Sequence, residues 1–188
     1  MRTTYTDEQL VARALAGDRS SFRLLTERYY PLALRWCASI LRNRQDAEDA
    51  AQEVFIRAWH SLPQYQARGS FAGWLRRLSI NLSLNRLDAQ QRTTGRNTHL
   101  SAAELLPDTE DGPLQLLMQR EERKRLAHAL DQLPVQHRIA LSLRLLDELS
   151  YDEIAEQMSV PVNSVRSWLH RGRAQIKQIL ECEELNSK

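Results

Sequence analysis

Apolar residues recur at helical spacing along most of the chain, and this pattern predicts an all-α protein. Residues 10–41 fit two helices with a break near residues 17–20. Residues 46–62 predict a strongly amphipathic third helix, and residues 71–87 predict a fourth helix after a short loop. Leu, Ala, Arg, Gln and Glu dominate the composition, and they favour helix. One face of the third helix is apolar throughout: Ala47, Ala50, Ala51, Val54, Phe55 and Ala58.

A polar segment at residues 88–113 interrupts the pattern, because it contains Gly and Pro and has no sustained helical period. We therefore expect two small helical domains joined by a flexible linker, with a front domain at 1–90, an acidic linker at 91–113 and a back domain at 114–182. A short helical turn is expected near residues 102–106. Helical spacing returns at residues 114–130 and again at 135–146, where Pro134 suits a first turn.

The back domain carries a helix-turn-helix pattern. Ser150 and Glu153 have the spacing of a capping box, and Leu149 and Ile154 have that of a hydrophobic staple. The helix that follows should end near Met158, break at "SVP" and restart with Asn163 as the N-cap. Inward-facing positions on the two helices are apolar: Ile154, Ala155, Met158, Val160, Val165 and Leu169.

The second helix of this pair is cationic and has no acid up to residue 180. Its N-terminal end would meet base edges, and its later arginines and lysine would meet phosphates. The alternative is a solvated cationic face on an ordinary helical hairpin. Separately, Trp168 and Leu169 are expected in the core, with base stacking as the alternative for Trp168. The predicted DNA contacts are Asn163, Ser164, Arg166, Ser167, His170, Arg171, Arg173 and Lys177.

Composition excludes several classes of protein. The chain has 188 residues, 42% of them hydrophobic and 27% charged, and a net charge of +2, as in a soluble globular protein. No apolar run approaches about eighteen residues, so we expect no membrane insertion, no signal peptide and a cytoplasmic location. Cys37 and Cys182 match no metal or redox spacing. No catalytic motif appears, which predicts a protein that is not an enzyme and needs neither metal nor cofactor.

Charge is strongly segregated along the chain. Residues 45–60 hold four acids against one arginine, residues 61–100 hold six arginines against one aspartate, and residues 101–122 hold six acids against one arginine. Two basic surfaces separated by an acidic segment predict two sites of contact with a polyanion. The acidic segment between them would act as a tether that the polyanion repels.

The basic part of the front domain interleaves aromatic and cationic residues. Aromatic faces beside cations suit unstacked bases, and asparagine amides suit the edges of a flipped base. Phe71 and Trp74 share a face with Leu75 and Leu78, so the core is an alternative place for both rings. The acidic third helix could equally be a plain solvated surface. The interleaved residues are Tyr65, Arg68, Phe71, Trp74, Arg76 and Arg77.

Four segments of the chain, taken in order, resemble bacterial sigma factors of the extracytoplasmic-function group. They are "LVARALAGDRSSFRLLTERYY", "DAEDAAQEVFIRAWHSL", "FAGWLRRLSINLSLNRL" and "LDQLPVQHRIALSLRLLDELSYDEIAEQMSVPVNSVRSWLHRGRAQI". The resemblance covers nearly the whole chain except the linker and the last residues. It implies a subunit that binds core RNA polymerase, recognises the −35 and −10 promoter elements, and is controlled by an anti-sigma factor.

The resemblance also implies residue roles. Core-polymerase contacts would be Asp49, Gln52, Glu53 and Arg57. The −10 contacts, including a pocket for a flipped base, would be Ser61, Tyr65, Arg76, Arg77, Leu78, Asn81 and Asn85. The −35 contacts would centre on Arg166, Ser167, His170 and Arg171. Two departures from the family pattern are that "VNS" stands where many relatives have Gly-Thr, and that Trp168 replaces a polar or basic residue.

Three rival functions remain open on the sequence. A dimeric helix-turn-helix repressor leaves the acidic helix and the aromatic-basic segment unexplained. A sigma-like decoy that binds an anti-sigma factor should have lost the cations of the second helix. A structural helical adaptor would contact nucleic acid only weakly and without salt dependence.

Overall fold

The computed structural model describes residues 5–66, 69–94, 125–126 and 128–186. These residues form helices without a strand, which confirms the all-α prediction for the described part of the chain. No helix within these ranges is long and apolar enough to cross a membrane. The helices are α1 (Asp7–Leu15), α2 (Arg19–Leu41), α3 (Arg44–Ser61), α4 (Phe71–Thr94), α5 (Val135–Leu145), α6 (Tyr151–Met158) and α7 (Val162–Asn186), with a 3-10 turn at Leu62–Gln64.

The predicted break between the first two helices is confirmed. Gly17, in the turn after α1, has a φ of 97°, which residues with a Cβ rarely adopt. Glycine suits this position because it has no Cβ. The Asp18 carboxylate then accepts hydrogen bonds from the Ser20 and Ser21 amides and caps α2. At its other end α2 stops at Arg42, which has a left-handed backbone.

The third helix packs through the apolar face that the sequence predicted. All six predicted positions of α3 are buried, and four of them are alanines, which allow close approach of α2 and α4. The first core therefore lies among helices α1 to α4, with its largest fully buried side chains at Leu10, Leu25, Leu62 and Leu75.

The fourth helix is longer than predicted, since α4 continues to Thr94, beyond the domain boundary predicted at residue 90. Residues 88–94 are polar, but they contain neither Gly nor Pro to stop a helix. The turn predicted near residues 102–106 and most of the helix predicted at 114–130 lie outside the described residues. Of that predicted helix, residues 125–126 and 128–130 are helical, and residue 131, beyond its predicted end, is helical too.

Helices α6 and α7 form the predicted helix-turn-helix pair, and α5 packs against α7. Ser150 and Glu153 make the capping box, and Leu149 and Ile154 are both buried in the back core. Ser159, in left-handed conformation, ends α6. The N-cap prediction for Asn163 is wrong because α7 already begins at Val162, directly after Pro161, whose fixed φ favours the start of a helix.

The front and back helices also pack against each other. Ile40 of α2 and Ile80 of α4 are buried in the same cluster as the back-domain residues Ile139 and Leu143. The guanidinium of Arg138, itself 4% exposed, donates to the Ser39 carbonyl (2.6 Å) and the Ile40 carbonyl (3.2 Å) at the end of α2. A cation at the carboxyl end of a helix satisfies carbonyls that lack an intrahelical partner. Burial lowers the pKa of Arg138 to about 10, so it remains charged at neutral pH.

Candidate nucleic-acid and protein interfaces

Helix α7 presents an exposed cationic face. Its apolar side, with Val165 and Leu169, is buried against α5 and α6. Asn163 is exposed in the first turn, and Ser164 and Ser167 are half-buried beside it. The solvent side carries the exposed cationic positions of the sequence prediction: Arg166, His170, Arg171, Arg173 and Lys177.

Few protein groups neutralise this face. Arg173 donates to the Tyr151 hydroxyl across 3.3 Å, and Lys177 lies 3.7 Å from the Glu181 carboxylate. Because the lysine and the glutamate are both well exposed, their pairing contributes little. Trp168 is half-buried and packs against the back core, which favours its interpretation as a packing residue. The arrangement leaves a positive helix surface available for a polyanion.

A cleft of about 310 Å³ lies beside the start of α4. Three of the predicted −10 residues line it, namely Tyr65, Arg76 and Arg77, together with Trp74. The Tyr65 hydroxyl donates to the Gly69 carbonyl (2.9 Å), and its ring centroid is 5.0 Å from that of Trp74. These contacts hold both rings at the cleft.

The aromatic residues of this segment divide between core and cleft. Phe71 is only 3% exposed and lies among the front core residues, so the core interpretation is correct for it. Trp74 is half-buried and lines the cleft. Arg76 is held over the Trp36 ring at 5.8 Å, and burial lowers its pKa. Arg68 lies outside the described residues.

The other predicted −10 residues lie near this cleft but do not share a single pocket with it. Leu78 packs against the front core, while Asn81 and Asn85 are exposed one and two turns beyond Arg77 on the same side of α4. Ser61 donates its hydroxyl proton to the Arg57 carbonyl across 2.7 Å. The structure thus gives a continuous strip along α4 rather than one enclosed site.

The acidic helix α3 has a mixed outer face. Asp49, Gln52 and Arg57 are exposed, and Ile56 between them is 59% exposed. The sequence analysis missed Ile56, although its place four residues after Gln52 puts it on the polar side of the helix. The Ile56 side chain adds apolar area to this otherwise polar face.

Glu53, also predicted on this face, is engaged within the protein. Its carboxylate accepts from Arg57 Nε (2.8 Å) and pairs with Arg86 of α4. Burial raises the pKa of Glu53, but the hydrogen bonds from Arg86 and Arg57 together bring it below its usual value. Glu53 therefore ties α3 to α4 instead of standing ready for a partner.

The two cysteines lie in different environments. Cys37 is buried and its pKa is raised to about 11 by burial, so it stays a thiol at neutral pH. Cys182 is exposed on α7. Within the described ranges, no three His, Cys, Asp or Glu side chains are placed to hold a metal ion.

Family comparisons assign both halves of the chain to one class of protein. A family model described as Sigma-70 region 2 matches residues 25–93, and one described as Sigma-70, region 4 matches residues 123–176. These ranges contain most of α2 with α3 and α4, and then α5, α6 and most of α7. The class is that of sigma-70-type transcription initiation factors.

Full-length relatives narrow this class. The RNA polymerase sigma-H factor of Pseudomonas aeruginosa PAO1 is 32% identical over 187 residues, covering 96% of this chain and 97% of that protein. The ECF RNA polymerase sigma-E factor of Escherichia coli K12 is 34% identical, covering 94% and 95%. The chain belongs to the extracytoplasmic-function (ECF) family of RNA polymerase sigma factors.

Solved structures share the fold. The sigma factor RpoE from Bartonella quintana, solved in complex with the anti-sigma factor NepR, superposes with a TM-score of 0.69 at 19% identity, covering 85% of this chain and 96% of that one. CnrH, solved with the cytosolic domain of CnrY, superposes with a TM-score of 0.65 at 25% identity, covering 94% and 97%.

Proposed function

We propose that this sigma factor contacts the −35 element with α7 and the −10 element with the strip along α4, while α3 binds core RNA polymerase. The observation that carries the proposal is the exposed cationic face of α7 on a capped helix-turn-helix scaffold. The units would be residues 1–90 and 114–182, with 91–113 as an acidic tether that avoids nucleic acid. Because core polymerase and the bacterial chromosome share one compartment, the protein would act in the cytoplasm.

At the −35 element, the N-terminal turns of α7 would enter the major groove. Arg166 can donate two hydrogen bonds to guanine, and Asn163 can pair with adenine. Ser164, Ser167 and His170 would contact base edges or nearby phosphates. The more distant cations, Arg171, Arg173 and Lys177, would bind phosphates and make affinity depend on salt.

At the −10 element, the exposed strip of α4 would receive single-stranded DNA. Tyr65 and Trp74 offer ring faces on which a base can stack, and the Asn81 amide can donate and accept at a base edge. Leu78 would close one side of the pocket. The remaining contacts to backbone or adjacent bases would be Ser61, Arg76, Arg77 and Asn85.

For core polymerase, α3 offers an apolar centre with a polar rim. Ile56 would be the buried anchor, with Asp49 and Gln52 as rim contacts, because anchors at the centre of an interface carry most of its energy. Glu53 and Arg57 would act mainly by fixing the helix, since each already has a partner within the protein. A complementary surface on core polymerase should have apolar residues opposite Ile56 and basic residues opposite Asp49.

An anti-sigma factor is a further proposed partner. The two structures compared above were solved with a bound protein, which is named as an anti-sigma factor in the Bartonella quintana complex. We therefore propose a protein of the anti-sigma class as a partner of this chain.

Paired substitutions test the two DNA assignments. Holoenzyme would be assembled with core polymerase on a promoter selected from randomised DNA, and duplex binding and strand opening would be measured separately. Arg171→Ala should weaken duplex binding and lower its salt slope by about one unit. Asn81→Ala should leave duplex binding unchanged and slow opening about tenfold, since it removes a contact made only to an unstacked base.

Two outcomes would contradict these assignments. If Arg171→Ala leaves the salt slope unchanged, the phosphate contact is misplaced. If Asn81→Ala opens the promoter at the wild-type rate, the strip along α4 does not hold the −10 strand.

A further inference from the structure

Two polar side chains of α4 hold α3 in place. Arg86 pairs through Nη2 with the Glu53 carboxylate, and its Nη1 donates to the Asp46 carbonyl across 3.4 Å. One turn further along α4, Gln90 Nε2 donates to Asp46 Oδ2 across 2.9 Å. Asp46 and Glu53 are two turns apart, so these contacts span about 10 Å of α3. We call these four residues the α3–α4 clamp.

The clamp is partly shielded from water. The side chains of Arg86 and Glu53 are each 30% exposed. Hydrogen bonds between charged groups are stronger than neutral ones, and partial burial strengthens them further. The guanidinium is planar and donates in fixed directions. Arg86 therefore restrains the orientation of α4 against α3 as well as the distance between the two helices.

The apolar contact of α3 supplies less directional restraint. Four of its six buried apolar positions are alanines. Alanine side chains allow close approach, but they form shallower ridges and grooves than larger residues do. The hydrophobic effect is itself non-directional. The alignment of α3 with α4 should thus depend on the clamp more than it would in a contact of interlocking large side chains.

The two clamped helices carry different proposed surfaces. The outer face of α3, with Gln52 and Ile56, would dock on core polymerase, while the strip of α4, with Asn81 and Asn85, would receive the −10 strand. Arg86 directly follows Asn85 in the chain. Once α3 is fixed on the polymerase, the place of the strip depends on how α4 is held against α3.

We infer that Arg86 is a positioning residue for promoter opening, which acts through Glu53 and Asp46 to hold the −10 strip of α4 in register with the docking helix α3. The inference rests on the proposed function of these two helices. Its rival is a direct contact between Arg86 and a DNA phosphate, since Arg86 is a cation beside Asn85.

Two substitutions of opposite charge distinguish these roles. Arg86→Ala removes a cation, and Glu53→Ala removes an anion, but both break the same contact. Electrostatics alone predicts weaker DNA binding for the first variant and stronger binding for the second. Positioning predicts slower opening for both. Strand opening would be measured with holoenzyme assembled at saturating core polymerase on the promoter selected from randomised DNA.

Both variants should open the promoter about tenfold more slowly than wild type, because small misplacements of binding groups are costly. Their affinity for core polymerase should stay within about threefold, since the anchor Ile56 lies on α3 itself. The combined variant should be no more than about twofold slower than Arg86→Ala alone, because the two residues act through one contact. Circular dichroism and urea unfolding would verify that each variant is folded.

Matched controls make the same charge changes outside the clamp. Arg92, exposed on α4, donates to the Asp88 carbonyl of its own helix, and Glu48 pairs with Arg44 on α3. Arg92→Ala and Glu48→Ala should therefore open the promoter within about twofold of the wild-type rate, as expected for surface substitutions.

Three results would overturn the inference: opening at or above the wild-type rate in Glu53→Ala, additive effects in the combined variant, and controls as slow as the clamp variants. Asn81→Ala separates this failure from failure of the proposed function. If Asn81→Ala slows opening while the clamp variants open normally, only the positioning role is wrong. If Asn81→Ala opens normally as well, the proposed role of α4 fails.

Discussion

Gly172 shows how one residue sets the spacing of the back domain. A Cβ at this position would lie 2.7 Å from Leu141 Cδ1 and 3.4 Å from His137 Cβ, both on α5. Leu141 is fully buried, so its side chain has little room to move. Glycine is thus required for the close crossing of α5 and α7, despite its poor helix propensity.

Replacing this glycine should destabilise the protein. Overpacking should lower the free energy of unfolding by about 1–3 kcal/mol, while the better helix propensity of alanine should raise it by about 1 kcal/mol. Gly172→Ala should therefore lower the free energy of unfolding by about 1 kcal/mol in urea denaturation. Ala174→Gly, at an exposed position of the same helix, serves as the control and reports propensity alone. A stabilised Gly172→Ala protein would refute the close crossing.

Residue-scale function was only partly predictable from the sequence. The family resemblance implied that α3 is a docking surface and included Glu53 among its contacts but not Ile56, whereas the pattern alone left this helix open as a solvated surface. Glu53 is engaged by Arg86, a partner 33 positions away that no local pattern indicates. The exposure of Ile56 depends on tertiary packing, and the helical period of the sequence does not predict the exposure of every single position.

At the scale of elements, local chemistry made most boundaries predictable. The capping box before α6 and the break at "SVP" were found where predicted, since both depend on residues within three or four positions of each other. The two errors in helix bounds have different local causes. Pro161 begins α7 before Asn163 can cap it, and a polar sequence without a helix stop lets α4 run to Thr94.

The capping box should make stability depend on pH. Hydrogen bonds from Ser150 lower the pKa of Glu153. A lowered carboxyl pKa contributes stability above the unfolded value of about 4.3, and this contribution is lost as pH falls through the folded value. Ser150→Ala should lower stability at pH 7 by about 1 kcal/mol and flatten the acid side of the profile.

The Glu153→Gln variant distinguishes the hydrogen bonds of the capping box from the charge of the Glu153 carboxylate. Glutamine can still complete the box, so stability at pH 7 should stay near that of wild type, while the part of the acid-side dependence that Glu153 contributes is lost. Chemical denaturation at pH 7 and at pH 4 measures both effects. An unchanged Ser150→Ala protein would show that the box does not stabilise α6.

At the scale of the whole molecule, the domain packing was not predictable. Asp147 contacts residues 111 and 112 positions away, and Arg138 contacts Ser39 across 99 positions. In a helical sequence pattern, the buried Arg138 and the half-buried Asp147 look like ordinary charged surface residues. Charge segregation predicted two surfaces for nucleic acid, but only the folded chain shows that one of them faces the other domain.

The central proposal is that this chain docks on core RNA polymerase through α3. It is tested most directly by titrating the protein, labelled at Cys182, with purified core enzyme and following fluorescence anisotropy. The same titration would use Gln52→Ala with Ile56→Ala, and Leu15→Ala as a matched loss of exposed apolar surface on α1.

We expect tight binding by the wild type, an approximately thirtyfold weaker affinity for the α3 variant, as for loss of about 2 kcal/mol at a hot spot, and less than about twofold change for Leu15→Ala. Wild-type affinity in a folded α3 variant would contradict the docking surface. No binding by folded, monomeric wild-type protein would contradict the proposed function as a whole.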